Sequence, residues 1–297
     1  MSQSSAPNHA LHSRSNRASA PSGSPGSRIL SNCPWRIAAP SFIWPDRVGA
    51  NCRRLQGLVD EAALVFFQTQ GSLEYTDRDL PPWMSDLDLV YHLHLPLDLP
   101  WAKGPEAAAD TAAALAQKTA FCQPHGYVLH PPRNPETFLR FHRRWCKNGL
   151  QSKDLLLENI ADTDLMSLLP AVEDTDCRIC LDYGHLEAYG QWGLLEEKLI
   201  PARLSMLHIY APVGGHTHKG LTHLPVQDQD AVLDLLCLLP AGGVVVLEVF
   251  SWPELQTSLD IFTSWIRNWD STKRRMPVRE GPDESYDILS KAGKQDR

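Results

Sequence analysis

Eight short apolar runs recur along the chain roughly 25–40 residues apart, and this spacing constrains the fold more than any other feature. They predict strands over Ile37–Trp44, Ala62–Gln68, Leu87–Leu95, Gly126–His130, Asp154–Asn159, Arg178–Tyr183, Leu204–Tyr210 and Val244–Phe250. Between most of them lie helical patterns: Val48–Val59, Pro105–Phe121, Pro135–Asn148, Thr163–Leu169, Trp192–Leu199 and Asp228–Leu239, with Pro253–Asp270 after the last. Several open on Pro or Asp, as helix N-termini do. One strand plus one returning helix fills each interval, which implies a parallel sheet. Eight such units predict an α/β fold, a closed (β/α)8 TIM barrel. An open doubly wound sheet is the alternative, but Trp44-Pro45-Asp46 follows the first strand where a glycine-rich phosphate loop would stand.

The flanks differ in composition. Residues 1–34 are rich in Ser, Pro and Gly and hold few large apolar side chains, so they read as a disordered tail without a secretory signal. Residues 35–271 form the expected barrel domain. Residues 272–297 are charged and punctuated by Gly and Pro, and read as a second flexible tail. Across the chain 43% of residues are hydrophobic, which excludes full-length disorder. The net charge of -7 disfavours a partner recognised through its phosphate backbone, so no nucleic-acid partner is expected. The longest apolar runs reach about ten residues, and a membrane helix needs about 20, so no membrane partner is expected either. Seven cysteines, odd in number and irregular in spacing, point to reduced thiols and a cytoplasmic location. Cys177 and Cys180 lie three apart on a predicted strand, on opposite faces, and read as core rather than as a metal pair.

The twelve histidines carry the chemistry. In a (β/α)8 barrel the active site gathers at the C-terminal strand ends. The third strand ends Tyr91-His92-Leu93-His94-Leu95-Pro96 and the fourth Leu129-His130-Pro131. The fifth ends Leu157-Glu158-Asn159 and the sixth Leu181-Asp182-Tyr183-Gly184-His185. The seventh ends Leu207-His208, followed by a loop with His216, His218, Lys219 and His223, and the eighth carries Glu248. Six successive strands thus place an imidazole or carboxylate at the same end. Burying so many ionisable groups unpaired costs several kcal/mol each, and a metal supplies the compensating charge. His92 and His94 share a face, with His94 the better ligand and His92 an outer or substrate-facing group.

These ordered motifs resemble the xylose-isomerase-like, or endonuclease-IV-like, TIM-barrel superfamily over roughly residues 36–270. Within it, Val65-Phe66-Phe67, the segment Tyr91–Trp101 and the His-Leu-Pro after strand seven are most similar to the cobamide-remodelling phosphodiesterases of CbiR type. The superfamily resemblance implies a metal-dependent hydrolase with one to three divalent ions, zinc first and manganese or cobalt as alternatives. It implies ligation by His94, His130, Glu158, Asp182, His185, His208 and Glu248. The endonucleases carry an Asp-x-His pair after strand seven; this chain has His216-Thr217-His218 and, later, His223, which leaves the third ion open and makes His223 a candidate ligand. The narrower resemblance implies hydrolysis of the phosphoester in the nucleotide loop of a cobamide, a small-molecule substrate.

The expected roles follow. Glu158 and Glu248 bridge ions and orient the attacking water, and His185 completes the catalytic set. Lys219 or Arg133 neutralises the phosphate. Trp44, Trp83 and Trp101, in loops after the first three strands, are candidates to stack on the corrin or its lower base. Competing readings are a sugar isomerase or epimerase of the same barrel type, and a barrel that binds metal or cobamide without turnover.

Overall fold

The computed structural model describes Leu30, residues 33–214 and residues 217–267. Most of the N-terminal tail, the whole of the C-terminal one and His216 lie outside the described residues. Eight parallel strands close a barrel: β1 (Arg36–Pro40), β2 (Glu61–Val65), β3 (Val90–His94), β4 (Tyr127–Leu129), β5 (Leu155–Glu158), β6 (Arg178–Asp182), β7 (Leu204–Ile209) and, last, β10 (Val244–Leu247). The ring runs in chain order, and β1 pairs with β10 to shut it, Arg36 opposite Val244 and Ala38 opposite Val246. The other two strands, β8 (Ala211–Val213) and β9 (Thr217–Lys219), form an antiparallel hairpin after β7.

All eight predicted barrel strands are present, each one ending before its predicted end. The last one to four residues of each prediction already belong to the segments at the active face, Tyr183 to the start of the helix Tyr183–Ala188. Alternation along each strand splits the core in two. Ala38, Ala63, Val65, Val128, Leu156, Cys180, Met206, Val244 and Val246 fill the barrel interior. A larger cluster, including Leu64, Leu93, Leu129, Leu157, Leu181 and Leu207, lies between strands and helices. Cys180 belongs to the first cluster and Cys177 to the second, as their spacing predicts.

The returning helices are α1 (Val48–Leu55), α2 (Thr69–Leu73), α3 (Pro105–Thr119), α4 (Pro135–Lys147), α5 (Leu169–Glu173), α6 (Tyr183–Ala188), α7 (Leu199–Arg203), α8 (Val226–Leu238) and α9 (Trp252–Arg267). Helix α4 shows the local logic. Asn134 accepts the Thr137 N–H at 2.9 Å, Pro135 occupies the first turn, and Phe138, Phe141 and Trp145 recur on the buried face. The Ala-rich α3 packs beside it, and Arg140–Glu106 and Arg144–Asp110 pairs bind the two helices on the solvent side. The predicted helices near Thr163–Leu169 and Trp192–Leu199 are reduced to 3-10 turns, Met166–Leu168 and Gln191–Glu196, before the short α5 and α7. Among the described residues no helix is long and apolar enough to cross a membrane.

Candidate metal centre

On six of the eight strands the inward position two residues beyond the deeper inward layer, apolar except for His92, is ionisable. Leu156 is followed by Glu158, Cys180 by Asp182, Met206 by His208, Val246 by Glu248, Val128 by His130 and His92 by His94. The period of two therefore stacks an ionisable layer on an apolar one. All of these ionisable residues except His130 are buried.

Glu158 sits at the middle of the layer. Its Oε2 faces His94 Nε2 at 3.1 Å and His130 Nε2 at 3.2 Å. Its Oε1 faces His208 Nδ1 at 3.4 Å. His208 Nδ1 also lies 3.2 Å from Glu248 Oε2 and 3.8 Å from Asp182 Oδ2. Donor atoms of Glu158, Asp182, His208 and Glu248 all fall within 4.8 Å of one another, and so do those of His94, Glu158 and His208.

The donor set fits divalent cations. His208 Nδ1 and Asp182 Oδ2 are buried and make no hydrogen bond despite these neighbours. His94 Nδ1 is 3.0 Å from the Leu95 carbonyl and donates to it, so Nε2 carries a lone pair toward the Glu158 carboxylate. With the imidazole neutral, two acceptors face each other there, and either a second proton on His94 or a cation between them resolves the conflict. His185 Nδ1 likewise donates to the Asn159 carbonyl at 2.7 Å, which leaves the lone pair of a neutral imidazole on Nε2.

The titration behaviour has the same origin. Burial, with Glu158 and Glu248 nearby, pushes the Asp182 carboxyl up to about 7. Burial alone would also raise Glu158, yet His130 and His208 hold it well below the carboxylate range. Glu248 is held low in the same way by His208 and His218. Burial opposes charge on His208 and His94, but for His208 Cys180, Glu248 and Glu158, and for His94 Glu158 and Glu248, lift their values above the ordinary one. Protons on these imidazoles would compete with a metal for the same lone pairs.

Asn159 organises the layer from behind, a role that its place after Glu158 signals only once the strand end is known. Its Oδ1 accepts the Asp182 N–H at 2.7 Å, and its Nδ2 donates to the Asp182 carbonyl at 3.1 Å and to Gln191 Oε1 at 2.9 Å. Asp182 Oδ1 in turn accepts the His185 N–H at 2.7 Å, capping α6. The Asp-x-x-His spacing is therefore a helix cap that turns both side chains toward the barrel axis.

The layer floors a cavity of about 340 Å³ at the C-terminal mouth. Val65, Phe66, Phe67, Leu97 and Phe250 line it together with His94, His130, Glu158, His185, His218, Glu248, Tyr189 and Tyr210. No Lys or Arg lines it. Phe67 contacts Phe42 and Phe250 at ring distances of 5.0 and 5.6 Å, and Tyr210 stacks on His218 at 3.8 Å. His218 Nε2 is 3.5 Å from Glu248 Oε2, so the β8–β9 hairpin brings an imidazole back to the site.

Other expected site residues lie elsewhere. His223 is half exposed and faces Glu254 Oε1 at 3.8 Å, as Lys219 does at 3.6 Å, because the turn after the hairpin packs on α9. Arg133 pairs with Asp162. Trp44 stacks on Trp252 at 5.3 Å, Trp83 packs on the Arg53 guanidinium, and Trp101 meets Phe141 at 5.1 Å with the rings tilted; none of them lines the cavity. His92 faces inward but one layer deeper, bonded to Glu61 at 2.5 Å and shut off from the cavity.

No protein-family model and no curated protein matches the sequence. Solved structures do share the architecture. Endonuclease IV from Thermus thermophilus is 18% identical with a TM-score of 0.63, over 79% of this chain and 100% of that one. A D-tagatose 3-epimerase-like protein is 15% identical with a TM-score of 0.58, over 78% and 97%. A xylose isomerase domain protein from Planctomyces limnophilus is 13% identical with a TM-score of 0.53, over 79% and 97%. At these identities the likeness is one of fold, and the fold is a xylose-isomerase-like (β/α)8 barrel.

Proposed function

We propose that the chain is a metal-dependent phosphodiesterase acting on a small phosphodiester with an apolar planar group, the nucleotide-loop ester of a cobamide being the named candidate. The observation that carries this reading is the position of Glu158. One carboxylate oxygen faces His94 and His130; the other faces His208, beside Asp182 and Glu248. A carboxylate shared between two donor groups is the arrangement of a two-ion site, and such sites serve in-line displacement at phosphorus.

His94, His130 and Glu158 would hold one ion, and Glu158, Asp182, His208 and Glu248 the other. Bound divalent ions, zinc first by the richness in imidazole, supply a water that ionises near neutral pH and positive charge for the phosphate oxygens. Glu248, fixed between His208 and His218, accepts a hydrogen bond that orients the attacking water. His185, with Nδ1 anchored on the Asn159 carbonyl, holds Nε2 steady for an ion or for the departing oxygen. Phe67, Leu97 and Phe250 exclude water and offer a flat apolar surface. The cavity admits the ester and its base, while the larger corrin ring would rest outside it. Its lining lacks Lys and Arg, which agrees with a singly charged diester and, with a net charge of -7, speaks against DNA.

A second reading, a sugar epimerase, draws on the Glu158–Asp182–His208–Glu248 group, which suffices for one ion and sets two carboxylates across the site. The names of several structural neighbours point the same way. The Phe67, Leu97 and Phe250 part of the lining, however, offers a polyol no hydroxyl partners and suits a planar apolar group better, so a sugar would be held by the His, Glu and Tyr side chains alone. Metal analysis separates the two. The phosphodiesterase reading expects at least two ions per chain, falling to one or none in Glu158→Gln, with hydrolysis of adenosylcobalamin. One ion per chain with ketohexose turnover would establish the epimerase instead.

A further inference from the structure

The opposite mouth of the barrel holds a second constellation that the proposed reaction does not use. Glu61 opens β2 and is fully buried, as is His92. Glu61 Oε1 accepts from His92 Nδ1 at 2.5 Å and from His125 Nε2 at 2.7 Å, while Oε2 accepts from Arg36 Nε at 2.7 Å. The Glu61, His92 and His125 donors are close enough together to hold a metal. The guanidinium already neutralises the carboxylate, though, and each carboxylate oxygen has its donors, so Glu61 is satisfied without a cation. His92 Nε2 is the one buried polar atom of this network without a partner, whereas the C-terminal site leaves a carboxylate oxygen, Asp182 Oδ2, unpaired beside both nitrogens of His208.

The network fixes the orientation of its two partly exposed members. The side chains of Arg36 and His125 are 29% and 31% exposed and line a cavity of about 460 Å³ at the N-terminal mouth. Arg178, Lys153 and Arg203 complete its rim, and Asp176, bonded to Arg203 at 2.6 Å, is its one acid. Among the described residues the side chains of Arg178 and Lys153 have no ion pair or hydrogen bond, and both are exposed. In a chain of net charge -7, four permanent cations and an imidazole thus surround one concavity. An ionised Glu buried at the barrel floor is costly to desolvate. Its placement makes sense when it holds a guanidinium and an imidazole in fixed directions toward a ligand.

We propose that the N-terminal mouth is a binding site for a small phosphorylated metabolite. Arg36, through the guanidinium N–H groups not turned to Glu61 or His125, makes the oriented contact, and His125, whose Nε2–H is given to Glu61, adds a second donor at Nδ1 in its doubly protonated form. Arg178 and Lys153 supply the attracting charge. The enclosed volume suits a single small anion rather than a nucleic-acid duplex. This site stands independently of the reaction assigned to the other mouth.

The test is calorimetric titration of inorganic phosphate into the full-length protein as isolated, with the imidazole resonances followed by NMR. The variants are R178E/K153E, which changes two exposed, unpaired side chains, and H185A, which perturbs only phosphate held at the opposite mouth. The expected result is a phosphate site that R178E/K153E weakens at least tenfold, that H185A leaves unchanged, and that shifts the His125 resonances. Absence of phosphate binding in the wild type, equal binding in R178E/K153E, or loss of all binding in H185A would overturn the proposal.

Discussion

Replacing Asn159 by Ala removes three hydrogen bonds and leaves the rest of the site's side chains in place. The Asp182 N–H and carbonyl and the Gln191 amide oxygen lose their partner at a fully buried position. A buried polar group left unsatisfied costs about 1–3 kcal/mol. Two of the three belong to the backbone of Asp182 and cannot turn away, so a loss of about 3 kcal/mol is expected. For a domain of this size each kcal/mol lowers Tm by roughly 2–4 °C, which gives about 6–12 °C. The main-chain carbonyl of residue 159 survives, so His185 keeps its anchor while Asp182 loses its own. Groups that orient a ligand from behind are typically worth about 10–100-fold in metal affinity. Scanning calorimetry with and without chelator, together with a competitive metal titration, reads both quantities. An Asn159→Ala protein melting within about 2 °C of wild type, with unaltered metal affinity, would refute the assigned role.

Other consequences follow from the same geometry. The Asp182 carboxyl is raised to about 7 by burial and by its acidic neighbours, so its contribution to stability is fullest below the unfolded value of 3.8 and is lost as pH rises toward 7. Metal relieves that penalty, so the melting difference between metal-loaded and chelated protein widens between about pH 5 and pH 8 in thermal scans; a constant difference would contradict it. Gly184 lies against the Tyr210 ring, where an added Cβ would come within 2.1 Å of Cζ. Gly184→Ala is expected to lose about 1–3 kcal/mol in denaturant melts and to shift the His218 resonances through the displaced Tyr210 ring. Phe67, 41% exposed, belongs to the apolar wall of the cavity. Phe67→Ala is expected to raise KM several-fold for a diester with an aromatic group and to leave kcat and metal content nearly unchanged.

The barrel was legible because buried parallel strands read as unbroken apolar runs and their spacing counts the helices between them. The ionisable layer was legible for a related reason. His94, His130, Glu158, Asp182, His208 and Glu248 each stand where a run ends, and the period of two places them on one face. Depth was not legible. His92 shares that face with His94, but two residues on a strand are about 7 Å, enough to move it from the cavity to the floor. Its partner Glu61 opens a strand, where nothing local marks a carboxylate that will be buried. The loop after strand seven shows a similar limit: which of His218 and His223 returns to the site depends on the β8–β9 hairpin, whose pairing is weakly specified over three residues. Trp44 and Trp101 stand in the loops expected for them, yet their rings meet Trp252 and Phe141, contacts between elements far apart in sequence.

Incubation of the metal-loaded protein with adenosylcobalamin, followed by mass spectrometry of the corrinoid, tests the central claim most directly. The expected result is loss of the lower nucleotide by cleavage at a phosphoester, dependent on metal and abolished in Glu158→Gln. An intact corrinoid after prolonged incubation, with metal bound and a ketohexose turned over instead, would contradict it.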